Sequence, residues 1–125
     1  MNNHFNYICV VLLLVITTFI IYYRLEKFDN KKPAKVILFY TEWCKYSQKM
    51  LPVWEDVIKG IKNSNSYNLT FEKYDCDKNQ EKCKEFEIDY LPTIYFVNGK
   101  EKTKYTDEID SGQLGLFLMN QLESM

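Results

Sequence analysis

Residues 5–23, FNYICVVLLLVITTFIIYY, carry no charge and only Asn6, Thr17 and Thr18 as polar interruptions. As one helix they would reach about 28 Å, close to the ~30 Å hydrocarbon core of a bilayer, so the run predicts a single membrane span. Tyr22 and Tyr23 sit where an interfacial aromatic belt would place them. A cleaved signal peptide would need basic residues ahead of the run and small residues after it. No Lys or Arg precedes this one, and it ends Ile-Ile-Tyr-Tyr-Arg, so it reads as a retained anchor.

Beyond the span the pattern changes to short alternating periods. Residues 35–41 (KVILFYT) form a β-prone run long enough for a strand buried on both faces. Between residues 45 and 61, Met50, Val53, Trp54, Val57, Ile58 and Ile61 recur every three or four positions. That spacing predicts an amphipathic helix interrupted by Pro52 and followed by a polar loop, Asn63-Ser64-Asn65-Ser66. Residues 69–74 alternate as a strand, and 79–87 make a short helix with Cys83 and Phe86 facing inward. Residues 93–97 and 102–105 flank Asn98-Gly99, a hairpin signal. A last helix spans 112–122. The order is β-α-β-α-β-β-α. With helical crossovers between the first three strands, those strands are expected to pair in parallel and the fourth to close antiparallel. The chain divides into an anchor (1–23), a charged juxtamembrane linker (24–34) and a folded domain (35–125).

Composition adds exclusions. All 16 basic and 17 acidic residues lie after the span, with net charge −1. That balance argues against a nucleic-acid partner. Four cysteines in 125 residues are too few for a disulfide scaffold, so an ordinary core must hold the domain. A strong Lys-over-Arg bias with a single Ala reports an AT-rich genome, such as a parasite's, a bacterium's or a large DNA virus's, rather than a fold. Arg24, Lys27, Lys31, Lys32 and Lys35 follow the span, which by the positive-inside rule puts the domain in the cytoplasm. Cys9, within the span, reads as a small hydrophobe.

The chemistry centres on Trp43-Cys44-Lys45-Tyr46-Ser47, where the buried strand gives way to the long helix. A Cys there lies near unpaired backbone N–H groups and the positive end of the helix dipole, which favour thiolate over thiol. The plain alternative is a capping or packing residue. No phosphate loop or Ser-His-Asp set stands out, and the single His excludes most His-based catalysis.

The stretch VILFYTEWCKYSQKMLPVWEDV, with Pro52 eight residues after Cys44 and Tyr90-Leu91-Pro92-Thr93 beginning two residues short of forty-eight after it, resembles the thioredoxin family. The resemblance implies a trimmed thioredoxin fold, α/β with a four-stranded mixed sheet, preceded here by one N-terminal transmembrane helix. It also implies a cis peptide before Pro92, which offers backbone groups of Leu91 to an extended client. Cys44 would be the nucleophile, with Trp43, Leu91 and Pro92 contacting substrate. Three departures follow. Ser47 replaces the usual resolving Cys, and could hydrogen-bond the Cys44 thiolate or merely cap the helix. Leu38 stands where relatives keep a buried acid. The opening β-α unit is missing.

Cys76 and Cys83 resemble a pair that forms a local disulfide in some protein disulfide isomerase-type domains. Two free thiols, or half of a metal site, are the alternatives; with no His nearby and too few thiolates, no metal is expected. A disulfide needs an oxidising compartment, which conflicts with the charge rule and favours a lumenal, or for a virus a virion, setting. The expected function is monothiol exchange through Cys44: isomerisation, deglutathionylation or retention of clients. Partners would be protein or glutathione thiols and disulfides, with glutathione or another external thiol resolving the adduct and no bound cofactor. A non-catalytic peptide-binding module is the alternative.

Overall fold

The computed structural model describes the backbone of residues 2–29, 33–64 and 68–125. Asn30, Lys31 and Lys32 of the expected linker, and Asn65 and Ser66 of the expected loop, lie outside the described residues. The chain forms two units, residues 1–31 and 32–125.

In the first unit, α1 (Asn2–Asp29) is one continuous helix that runs past the apolar stretch into the charged residues after it. Its segment Asn3–Arg24 is long and apolar enough to cross a membrane. The two threonines in that segment satisfy themselves locally: Thr17 Oγ1 and Thr18 Oγ1 each donate to the Leu14 carbonyl at 2.9 Å. A hydroxyl that bonds its own helix adds little polarity to an apolar surface.

The second unit contains β1 (Ala34–Tyr40), α2 (Lys45–Ser64), β2 (Leu69–Asp75), α3 (Gln80–Glu85), β3 (Thr93–Asn98), β4 (Glu101–Lys104) and α4 (Ser111–Glu123). The sheet order is β2-β1-β3-β4. β1 is central, which explains its unbroken apolar sequence: alternate residues serve opposite faces. Val36 and Leu38 join Trp54, Val57, Leu114 and Leu118 in the core under α2 and α4. Ile37 and Phe39 point the other way, into a smaller cluster with Cys83 and Phe86 of the α3 segment. Trp54 is 1% exposed and packs edge-on to Phe71 at 5.6 Å. α4 is capped by Asp110, whose carboxylate accepts from the Gln113 N–H at 3.0 Å. The β3–β4 turn is Gly99-Lys100, with Gly99 at φ 61°, a left-handed position that glycine takes without a Cβ clash.

One expectation about the sheet fails. β2 is parallel to β1, but β3 runs antiparallel to β1 rather than parallel. The connection explains it. β1 and β2 both end at the same side, where Tyr40 pairs with Asp75, and β3 starts there, with Thr93 beside Phe39. A parallel crossover must carry the chain back along the strand, roughly 23 Å for seven residues. α3 has six residues, about 9 Å of helix. The chain therefore never returns, and β3 leaves from the end where β2 arrived. The sheet remains mixed and four-stranded.

A second feature of that short connection matters for the site. Glu87 adopts φ 51°, a left-handed conformation uncommon for a residue with a Cβ. The Ile88 N–H then donates back to the Cys83 carbonyl at 3.0 Å and the Glu87 N–H to the Lys84 carbonyl at 3.0 Å. This closes α3 and directs the chain into the Tyr90–Pro92 segment.

Candidate functional site

The end of β1, the start of α2 and the segment before β3 converge at one end of the sheet. After Tyr40 the chain turns, and the Gln48 N–H donates to the Cys44 carbonyl at 2.9 Å. That is the first α-helical bond of α2, so Cys44 occupies its N-cap position. An N-cap side chain faces the free N–H groups of the second and third helical residues, here Tyr46 and Ser47. The Cys44 thiol accordingly lies below its ordinary pKa. The Ser47 backbone N–H is the largest cause; partial burial opposes it, and the Ser47 hydroxyl and Tyr46 N–H reinforce it.

Ser47 is 0% exposed. It cannot meet a client, so its influence passes through Cys44. Its Oγ accepts from the Thr41 N–H at 3.4 Å, which ties the turn to the helix from beneath the sulfur. Leu38 is fully buried in the apolar core.

Across from Cys44 stands the Leu91-Pro92 peptide, which is cis. The Cys44 thiol donates to the Leu91 carbonyl at 3.7 Å. The Thr93 hydroxyl donates to the Tyr90 carbonyl at 2.7 Å and braces that segment from the strand side. Trp43 and Leu91 line the same cleft as the sulfur, and Pro92 follows Leu91 across the cis bond. Trp43 is 70% exposed, yet its indole Nε1 donates to Asp77 at 2.9 Å, which fixes the ring. Beside it, Lys78 bridges Glu42 at 3.0 Å and Asp75 at 3.2 Å. Asp77 and Lys78 had no sequence signal as site residues. Their partners Trp43 and Glu42 lie more than thirty positions away, and charged residues after a strand usually face only water.

Cys76 and Cys83 are joined by a disulfide, with α-carbons 5.8 Å apart; Cys44 is free. The disulfide does not lie apart from the site. A cleft of about 340 Å³ is lined by Trp43, Cys44, Cys76, Cys83 and the segment from Ile88 to Leu91. A smaller cleft of about 200 Å³ on the other side of Leu91-Pro92 is lined by Tyr46, Met50, Ile94 and Tyr105 among others. Among the described residues no cluster of three or more His, Cys, Asp or Glu side chains could hold a metal ion. The arrangement provides an activated sulfur, a carbonyl and a cis peptide for aligning an extended chain, and apolar walls on both sides.

Comparison with known proteins agrees with this geometry. The family profile described as Thioredoxin matches residues 23–120. Protein disulfide-isomerase 5-1 of Arabidopsis thaliana is 29% identical over 99 residues, covering 78% of this chain and 66% of the relative. Endoplasmic reticulum resident protein 44 of Homo sapiens is 31% identical over 103 residues, covering 73% of this chain and 25% of the relative. The solved structure of human ERp44 in its zinc-bound form superposes with a TM-score of 0.67 at 22% identity. That match covers 77% of this chain and 29% of the other. The chain therefore spans between a quarter and about two thirds of the length of these relatives.

Proposed function

Starting from a chain that belongs to the thioredoxin family, we propose a membrane-anchored, monothiol thiol–disulfide exchange protein. Cys44 is its catalytic sulfur and Ser47 supports the thiolate. Trp43, Leu91 and Pro92 form the client-binding rim. Residues 1–23 serve as the anchor, 24–34 as the linker and 35–125 as the exchange domain. The observation that carries this reading is the position of Cys44: an N-cap sulfur stabilised by two helix N–H groups and facing the cis Leu91-Pro92 peptide. The thiolate attacks one sulfur of a client disulfide, or the protein sulfur of a glutathione adduct. A mixed disulfide forms and one thiolate leaves. Because residue 47 has no sulfur, that position cannot release the client from Cys44.

The bonded Cys76–Cys83 pair supports placing the domain on an oxidising, lumenal side, as do relatives named for residence in the endoplasmic reticulum. The basic residues after the span favour the other side. Protease protection of the domain in sealed membranes decides between them.

The test of the reaction is trapping. Full-length protein from unreduced membranes, alkylated on lysis, should carry mixed disulfides that map to Cys44 and vanish in Cys44→Ser. Client binding that persists unchanged in Cys44→Ser would instead support a non-covalent peptide-binding module.

A further inference from the structure

A monothiol site leaves a question that the cleft itself addresses: what releases the client from Cys44. The sulfur pair of Cys76 and Cys83 opens onto the same cleft as Cys44. It is also held there by several independent contacts. The Cys76 N–H donates to the Tyr40 carbonyl at 2.9 Å, fastening the pair's first member to the strand that leads into Cys44. Trp43 bonds Asp77, the residue after Cys76, at 2.9 Å. Lys78 bridges Glu42. The second member, Cys83, is fastened through its carbonyl to the Ile88 N–H, at the start of the segment that presents Leu91 to the Cys44 sulfur. Cys76 and Leu91 pack against one apolar cluster that includes Cys83.

We infer that the Cys76/Cys83 pair, in its reduced form, is the internal resolving centre of this protein, taking the part that a second cysteine at position 47 would otherwise play. The inference rests on Cys44 being the exchange nucleophile. The Cys44 thiolate attacks a client disulfide, giving a Cys44–client mixed disulfide and one client thiolate. The Cys76 thiolate then attacks the Cys44 sulfur, forming a Cys44–Cys76 bond and expelling the second client thiolate. The Cys83 thiolate attacks the Cys76 sulfur, forming Cys76–Cys83 and releasing the Cys44 thiolate. The client gains two electrons and two protons, and the pair loses them. The bonded pair is the end state of this sequence. Cys76 is the attacking member because it is half-buried while Cys83 is 8% exposed. The last step is favoured because the fold already holds the two α-carbons 5.8 Å apart, within disulfide range, so no loop remains to be closed. A small dithiol or glutathione in its thiol form resets the pair.

The experiment uses full-length protein in detergent, in a Cys9→Ser background, fully reduced and freed of reductant. One equivalent of an aromatic disulfide, 5,5′-dithiobis(2-nitrobenzoate), is added, and release of thionitrobenzoate is followed while rapid acid quench and peptide mapping locate each bond. Two equivalents of thionitrobenzoate should be released, the second at a rate independent of protein concentration. The mapped product should be Cys76–Cys83 with Cys44 free. In Cys44→Ser the pair should oxidise at least tenfold more slowly, and in Cys76→Ser the Cys44 adduct should persist. The inference is overturned if the wild-type Cys44 adduct persists beside free Cys76 and Cys83, or if Cys44→Ser oxidises the pair at the wild-type rate. The mapping in the Cys9→Ser background depends on neither cleft variant folding. No adduct at Cys44 at any time would overturn the exchange chemistry itself, a distinct result.

Discussion

Reducing the Cys76–Cys83 bond should destabilise the folded domain by an amount set by the length of the loop it closes. The pair is seven positions apart, so the closed loop holds about eight residues. The chain-entropy relation then gives about 2.5 kcal/mol at 25 °C, toward the lower end of the range for native disulfides. For a folded unit of this size, that corresponds to a fall of roughly 10–20 °C in the melting temperature. Reduction removes no atom, so the comparison isolates the cross-link from packing, which a Cys→Ser variant would not. The assay is thermal unfolding of the full chain in detergent, with and without a phosphine reductant, followed by tryptophan fluorescence. Trp43 and Trp54 are the two tryptophans, and both lie in the second unit, so α1 contributes nothing to the signal. Trp54, buried against Phe71, reports the core. A shift below about 3 °C, with mapping to show that the bond was broken, would refute the argument. It would mean that the unfolded chain already holds residues 76–83 close together, or that the bond strains the native fold by as much as it gains.

Four further outcomes follow from the site and the core. Ser47→Ala removes the hydroxyl but keeps the backbone N–H groups, so the Cys44 pKa should rise part of the way to its free value; mass-mapped iodoacetamide kinetics should show slower alkylation at pH 7, and an unchanged profile would mean the hydroxyl is only a structural link to Thr41. Because the folded-state pKa of Cys44 is lowered, its contribution to stability is fully present above the free-thiol pKa and is lost as pH falls through the folded value, so in reduced protein Ser47→Ala should shrink the alkaline stability gain. Ser47→Cys supplies an adjacent sulfur and should raise insulin disulfide reduction driven by a dithiol, with no gain if the missing acid at Leu38 limits turnover. Trp54→Ala should cost about 3–5 kcal/mol, read as a lowered urea midpoint, because the ring is fully buried among residues of β2, α2 and α4.

Several features were readable in the chain because their physics is local. The apolar run of α1, the two-faced apolar strand β1, the three-and-four spacing of α2 and the Gly99 turn each need only neighbouring residues to be recognised. So did the placement of Cys44 at a helix start, since strand and helix periods meet there. The pairing of β3 failed for the opposite reason. A short helix between two strands looks like a crossover in sequence, and only its length against the strand's shows that the chain cannot return. The bond from Trp43 to Asp77 was equally hidden, because nothing local distinguishes that carboxylate from one facing water.

The sequence by itself determined that one segment is apolar enough for a bilayer, that the rest folds as strands and helices around a buried β1, and that a serine stands three positions after Cys44. Tertiary structure alone decided what surrounds that sulfur. It brought the cis Leu91-Pro92 peptide opposite Cys44 and set the Cys76–Cys83 pair on the same cleft. Periodicity specifies which face of an element is buried, but the meeting of three segments at one end of the sheet depends on where each strand ends. Those ends are fixed by the strand register and by hydrogen bonds between residues distant in sequence.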